Sequence, residues 1–312
     1  MNSLNIVFMG SPDFAVPSLD VLHDSHHNIL AVASNPDKRR GRRSEPEPTD
    51  VKRRALELGL PVIDVHDVKS DQFENELKRL SPDLLVVVAF RILPPSVLKI
   101  PRLGSVNLHA SLLPRYRGAA PIHHAIMQGE KETGCTVFFL DEKVDTGEII
   151  GRLATDIGPD ETTGDVYNRL KQLGSELLLK CIDEIADGTA QRIPQAHENA
   201  TPAPKLTRSN THIDFSRSNT EVHNFIRSLN PFPVAWCNYG EQKMNIYLSQ
   251  LPDPGISVKT GLKAGELAEV DSRLFAGCGE GVIELLEVQL PGTKRMTGSE
   301  FINGYDLDTQ LA

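Results

Sequence analysis

Over the first ~200 residues, short apolar runs alternate with amphipathic stretches. The clearest run, Leu84-Leu85-Val86-Val87-Val88-Ala89, is apolar at every position, as a strand covered on both faces must be. Residues 4–9, 29–34, 104–108 and 135–140 are runs of the same kind, and the segments between them, such as 73–80 and 166–185, have helical spacing. In the longest, Val166, Leu170, Leu173, Leu177, Cys181 and Ile185 form one stripe, with Lys171, Glu176 and Lys180 elsewhere and Asp187-Gly188 as a stop signal. Alternation of this kind predicts an α/β fold, a doubly wound, mostly parallel sheet covered by helices.

Periodicity is lost between Gln195 and Asn210, where Pro, Thr and Asn accumulate as in an extended linker. The expected division is therefore a first domain over 1–195, a linker over 196–209 and a second domain over 210–312. A length of 312 residues fits two domains of ~100 to 200 residues each. After a short helix from Thr220 to Ser228, runs at 234–239, 244–248, 273–276 and 282–288 alternate with Gly and Pro turns. They predict a small antiparallel β-barrel or sandwich.

Composition narrows the function classes. With 39% hydrophobic and 24% charged residues the chain reads as a soluble globular protein. No run approaches the ~18 apolar residues of a membrane span, and the N-terminus enters a strand almost at once, so neither a membrane segment nor a signal peptide is expected. Cys135, Cys181, Cys237 and Cys278 form no C-x-x-C pair, which supports neither a disulfide framework nor a zinc knuckle and suits a reducing cytoplasm. The net charge of -9 argues against a protein that coats nucleic acid. One segment departs from it: residues 38–54 carry eight positive and three negative charges. Lys38, Arg39, Arg40, Arg42 and Arg43 crowd around Gly41, after which Pro46 and Pro48 delay any helix until Asp50, a candidate cap for Val51–Leu58. Such a run is either a solvated loop or a set of phosphate contacts.

Chemistry concentrates in Asn107-Leu108-His109-Ala110-Ser111-Leu112-Leu113-Pro114-Arg115-Tyr116-Arg117-Gly118. On a strand, Asn107 and His109 share one face and Leu108 takes the other. Ligand sites in open α/β sheets lie beyond the carboxyl ends of strands, and an amide beside an imidazole is a reasonable clamp for a developing oxyanion. The two side chains equally suit the capping of a buried strand end. Asp145, in a turn before another β-like run, could orient the imidazole and relay a proton, or could serve an Asx turn toward Gly147. Gly10 follows the first strand without the further glycines of a dinucleotide fingerprint. His26-His27 reads as solvent-facing and His123-His124 as helical and near the site, neither pair having an acidic partner at metal-ligand spacing.

The run from Asn107 to Ile122, with Asp145-Thr146-Gly147 downstream, closely resembles the folate-dependent formyltransferases. The likeness extends to Phe8-Met9-Gly10-Ser11-Pro12-Asp13-Phe14-Ala15, Asn35-Pro36-Asp37-Lys38, Ile213-Asp214-Phe215-Ser216 and the segment from Arg227 to Pro233. The resemblance implies that Asn107, His109 and Asp145 are catalytic, that Ser111, Leu112, Leu113 and Pro114 wall the folate site, and that Phe90, Arg91, Ile92 and Leu93 border the pterin. It implies 10-formyltetrahydrofolate as formyl donor, no metal, and methionyl-initiator tRNA as acceptor. The basic loop Lys38, Arg39, Arg40, Arg42 and Arg43 would hold the acceptor arm, with Arg42 as the main contact, and an OB-like second domain would hold the tRNA backbone. A monomer is expected. Residues 209–312 carry thirteen acidic and eight basic side chains, so a tRNA-facing strip there must be local. Two rival readings stay open: a formyltransferase of small amines such as sugar nucleotides or glycinamide ribotide, and a folate- or RNA-binding module without catalysis.

Overall fold

The computed structural model describes residues 2–39, 45–254, 256 and 261–312. It divides the chain into two units, of which Met1–Pro121, Thr133–Thr155 and Tyr167–Pro202 form the first, and Ile122–Glu132, Asp156–Val166 and Ala203–Ala312 the second. Residues 196–202 of the expected linker thus belong to the first unit.

A seven-stranded sheet organises the first unit. Its strands are β1 (Asn5–Gly10), β2 (Asn28–Ser34), β3 (Val62–Asp64), β4 (Leu84–Val88), β5 (Ser105–His109), β6 (Glu132–Phe139) and β7 (Ile149–Asp156), in spatial order β7-β6-β5-β4-β1-β2-β3. The pairs β1–β2, β1–β4, β2–β3 and β4–β5 are parallel, and β5–β6 is antiparallel. The sheet is therefore mixed but mostly parallel. Every residue of β4 is buried, as its unbroken apolar run requires. Because the central strands run the same way, Ser11, Ala89 and Ala110, which follow β1, β4 and β5, leave the sheet on one edge.

Helices α1 (Val16–His23), α2 (Asp50–Glu57), α3 (Asp71–Leu80), α4 (Pro95–Leu98), α5 (Pro121–Met127) and α6 (Thr163–Ala186) separate the strands. Phe73 and Leu77 of α3 bury their side chains with Val7, Met9, Leu85 and Val87. Thr49, not Asp50, caps α2: its hydroxyl accepts the Lys52 N–H at 3.1 Å and lies 2.6 Å from the Ser34 hydroxyl at the end of β2. Asp50 instead pairs with Arg53 at 3.0 Å. Helix α6 comes close to the sheet at Gly174, where an added Cβ would lie 3.0 Å from Leu108 and 3.1 Å from Cys135. Leu108 therefore faces α6, and Asn107 and His109 face the other way.

In the second unit, α7 (Asn219–Ser228) opens on a capping box between Ser218 and Glu221. The antiparallel sheet holds β8 (Ala235–Tyr239), β9 (Gln242–Gln250), β10 (Leu267–Val270), β11 (Arg273–Gly277) and β12 (Val282–Gln289) in the order β8-β9-β12-β11-β10, and β13 (Met296–Thr297) pairs with β12. Val222, Ile226, Met244, Ile246, Leu285 and Phe301 fill its core. Strand β10 and helix α8 (Gly298–Gly304) are additions to the sequence expectation. Four residues are too few to show a period, and α8 begins on a glycine that reads as a turn until the Thr297–Glu300 capping box is seen. No helix among the described residues is long and apolar enough to cross a membrane.

All four cysteines are buried and unpaired. Burial disfavours the thiolate and pushes Cys135, Cys181, Cys237 and Cys278 each up to about 12. At pH 8 the native protein is expected to leave a thiol-specific reagent unreacted and to release four equivalents on denaturation; rapid native labelling would contradict this packing.

Candidate active site

The carboxyl end of β5 places Asn107 opposite Phe138 and His109 opposite Thr136 on the antiparallel neighbour β6. His109 is buried, while Asn107 is partly exposed and its side chain has no hydrogen-bond partner among the described residues. The imidazole Nε2 lies 2.9 Å from the Tyr116 carbonyl, an acceptor that requires the ring to donate from Nε2. Its other nitrogen, Nδ1, faces Asp145 Oδ2 at 3.8 Å. That same oxygen accepts the Gly118 N–H at 2.8 Å. Asp145 is only 8% exposed and adopts a left-handed backbone with φ 56°. The imidazole and the carboxylate read from the sequence as candidates thus come together, and Asn107 lies two positions before His109 on the same face of β5.

The local alternatives divide. Asp145 does not serve a turn toward Gly147; Asp141 does the local work, accepting the Lys143 N–H at 3.0 Å and the Thr146 hydroxyl at 2.7 Å. His109 does anchor a loop, through Tyr116, yet leaves its Nδ1 edge toward the carboxylate. The loop after β5 is pinned from β6, where the Thr136 hydroxyl donates to the Ser111 carbonyl at 2.7 Å and accepts the Leu113 N–H at 3.1 Å.

Comparison with known proteins shows the family. The formyl transferase family model matches residues 4–182 and the formyl transferase C-terminal domain matches residues 205–306. The chain is 47% identical over 305 residues to the methionyl-tRNA formyltransferase of Chlorobium luteolum, covering 97% of each chain. It is 41% identical over 310 residues to that of Acetivibrio thermocellus, again covering 97% of each. This chain belongs to the methionyl-tRNA formyltransferase family. Among solved structures, the sugar 3N-formyltransferase WlaRD, crystallised with dTDP and 5-N-formyl-THF, matches with a TM-score of 0.68 at 20% identity, over 94% of this chain and 100% of that one. HypX from Aquifex aeolicus, in complex with tetrahydrofolic acid, matches with a TM-score of 0.65 at 16% identity, over 96% of this chain and 47% of its own. These likenesses carry the fold alone.

The remaining candidate residues of this formyltransferase are distributed unevenly. Ser111 is fully buried, its hydroxyl donating to the Arg115 carbonyl at 2.7 Å, and Leu113 packs inward with Phe138 and Ile149. Leu112 and Pro114 are partly exposed. After β4, Ile92 is 74% exposed, Leu93 is buried and Phe90 packs partly against the core. The Arg91 guanidinium is spent inside the fold, donating to Asn35 Oδ1 at 2.6 Å and to the His66 and Val65 carbonyls at 2.8 Å each, so only its backbone is left for a ligand. Lys38 and Arg39 are exposed on a two-residue ladder with Pro46 and Glu47. Arg40, Arg42 and Arg43 lie outside the described residues. The second half of the basic run is neutralised: Lys52 pairs with Asp37 and Asp64, Arg53 with Asp50, and Arg54 with Asp20.

Two histidine readings need correction. His27 is buried, not solvent-facing, and α6 brings Asp183 to 3.0 Å from its Nε2, with His26 at 3.8 Å from the same oxygen. Sequence spacing could not reveal that partner, 156 residues away. The trio has the proximity of metal ligands. However, His27 Nδ1 accepts the Leu4 N–H at 3.2 Å, which leaves the ring proton on Nε2, directed at Asp183. Burial and the neighbouring His26 hold His27 below the usual histidine value, consistent with a neutral, hydrogen-bonded ring. His123 and His124 are helical as expected and belong to the second unit, where they face the carbonyls of Phe232 at 3.2 Å and Pro204 at 2.9 Å.

Gly147 ends the Asp145 turn where a Cβ would stand 1.7 Å from the Phe139 carbonyl oxygen. Gly147→Ala is therefore expected to displace β-strand backbone and cost about 3 kcal/mol or more. Denaturant unfolding checks this; a variant of wild-type stability would contradict the close approach.

Proposed function

We propose that this enzyme transfers the formyl group of 10-formyltetrahydrofolate to the free amine of methionyl-initiator tRNA, working as a cytoplasmic monomer. The reading is supported by the pairing of His109 with Asp145 beyond the end of β5, with Asn107 on the same face of that strand, in a chain alike over nearly its whole length to relatives that bear this activity in their names. The amine lone pair attacks the formyl carbon, a C–N bond forms, and the bond from that carbon to folate N10 breaks. The proton lost by the amine ends on N10. Between these events the formyl oxygen carries negative charge.

Asn107 supplies an amide N–H that no group among the described residues occupies. His109 is anchored through its Nε2 proton, so Nδ1 is its working nitrogen, and in the protonated ring Nδ1 donates toward the formyl oxygen beside Asp145. Each well-aimed donor in such a site contributes about 2.7 to 4 kcal/mol to the transition state. Asp145, held by the Gly118 N–H, orients the ring and takes up the amine proton through water. No step in this scheme needs a metal or a covalent enzyme intermediate. Ser111, Leu112, Leu113 and Pro114 contribute mainly backbone to the folate wall, since two of the four side chains are turned inward; Phe90, Arg91, Ile92 and Leu93 border the pterin, Ile92 by its exposed side chain. Lys38, Arg39, Arg40, Arg42 and Arg43 grip phosphates of the acceptor arm, and residues 210–312 contact the tRNA backbone.

Formyl transfer to purified methionyl-tRNA tests the scheme. Asn107→Ala and His109→Ala are each expected to lower kcat about 10²- to 10³-fold, with KM for tRNA near wild type. Arg42→Ala should do the reverse, raising KM for tRNA and reducing its salt dependence by about one unit of logarithmic slope while the folate KM holds. Undiminished turnover in the first two variants would overturn the site.

A further inference from the structure

The Gln195 side chain is 6% exposed and all of its hydrogen-bonding capacity is used. Its Nε2 donates to two backbone carbonyls on either side of Thr146, those of Asp145 at 3.1 Å and Gly147 at 2.8 Å. Its Oε1 accepts from Arg117 Nε at 3.2 Å and from Nη2 at 2.5 Å. The amide therefore bridges two segments far apart in sequence. One is the turn that presents Asp145. The other, residues 116–118, supplies the Tyr116 carbonyl that holds His109 and the Gly118 N–H that holds the Asp145 carboxylate.

Both segments are bent in ways that ordinary residues resist. Asp145 has φ 56° and Tyr116 φ 61°, the left-handed region in which a non-glycine residue needs outside support. Thr201 supports Tyr116 from the same irregular stretch, its hydroxyl accepting the Tyr116 N–H at 2.9 Å and its carbonyl the Arg117 N–H at 2.8 Å. His197 Nδ1 lies 2.9 Å from Arg117 Nη2. Gln195 alone among these reaches both segments. A single bond from Gly118 leaves the carboxylate free to pivot; two bonds to the carbonyls of Asp145 and Gly147 fix the turn from which it projects.

We propose that Gln195 is a positioning residue for formyl transfer, clamping the Asp145 turn to the Tyr116–Gly118 segment so that the carboxylate stays opposite His109. The proposal rests on the reading of Asp145 as catalytic. It assigns a role in chemistry to a stretch whose composition reads as linker. Removing the clamp lowers the rate of the chemical step without weakening substrate binding, because Gln195 is buried and its polar atoms all bond within the protein.

The test is a double-mutant cycle on the full-length enzyme, following formyl transfer from 10-formyltetrahydrofolate to methionyl-tRNA with thermal midpoints measured alongside. Q195M keeps the length of the side chain and removes its polar atoms, whereas Q195E keeps the acceptor for Arg117 and loses both donors; should either fail to fold, the other carries the comparison. Each is expected to lower kcat about tenfold to a hundredfold with both KM values within about twofold of wild type. In a D145N background neither should cause further loss, since the clamp acts through the carboxylate. A kcat near wild type in the folded Gln195 variants, with D145N impaired, overturns the clamp and leaves the catalytic reading standing. The same fold-loss in both backgrounds also overturns it, by showing a general structural effect. Full activity of D145N sinks the catalytic reading and the clamp with it.

Discussion

One carboxylate oxygen joins the parts of the site. Asp145 Oδ2 receives the Gly118 N–H and stands opposite the imidazole of His109, whose far nitrogen is fixed by the Tyr116 carbonyl. Buried charge of this kind persists only where hydrogen bonds replace the lost water. Here the bond comes from Gly118, two residues beyond the carbonyl that anchors the imidazole, so carboxylate and imidazole are placed against each other by a common piece of backbone. If that loop shifts, both partners shift.

The sheet makes this placement possible. Parallel β1, β4 and β5 deliver their carboxyl ends to one edge, and α6 covers the face of β5 that carries Leu108, which leaves the Asn107–His109 face free of the helix. The antiparallel strand β6 then contributes Thr136, whose hydroxyl satisfies a carbonyl and an N–H of the Ser111–Leu113 loop. That hydroxyl takes the place water would otherwise hold beneath this loop. Strand backbone sets Asn107 and His109, and the irregular backbone around them is held by side chains from elsewhere.

Much of this was legible in the sequence, for definable reasons. The all-apolar run of β4 and the stripe on α6 report burial directly, and the period-two relation of Asn107 to His109 follows from strand geometry. Other features rest on contacts between distant residues and leave no local signal. Asp183 meets His27 only after folding, Gln195 braces a turn fifty residues earlier, and Lys52 meets Asp37 and Asp64 through the packing of α2. The loss of periodicity after Gln195 was a true observation with two physical meanings. Irregular chain can be a tether, or it can be the polar packing of a site, and residues 195–201 do the second.

The central claim is that amide, imidazole and carboxylate converge on one carbonyl carbon, and a crystal structure of the enzyme with a non-transferable analogue of the formyl donor tests it most directly. The analogue's carbonyl oxygen is expected at about 2.7 to 3.2 Å from Asn107 Nδ2 and from His109 Nδ1, with Asp145 still bonded to the Gly118 N–H. An analogue bound with its carbonyl beyond reach of both donors, on another edge of the sheet, would contradict it.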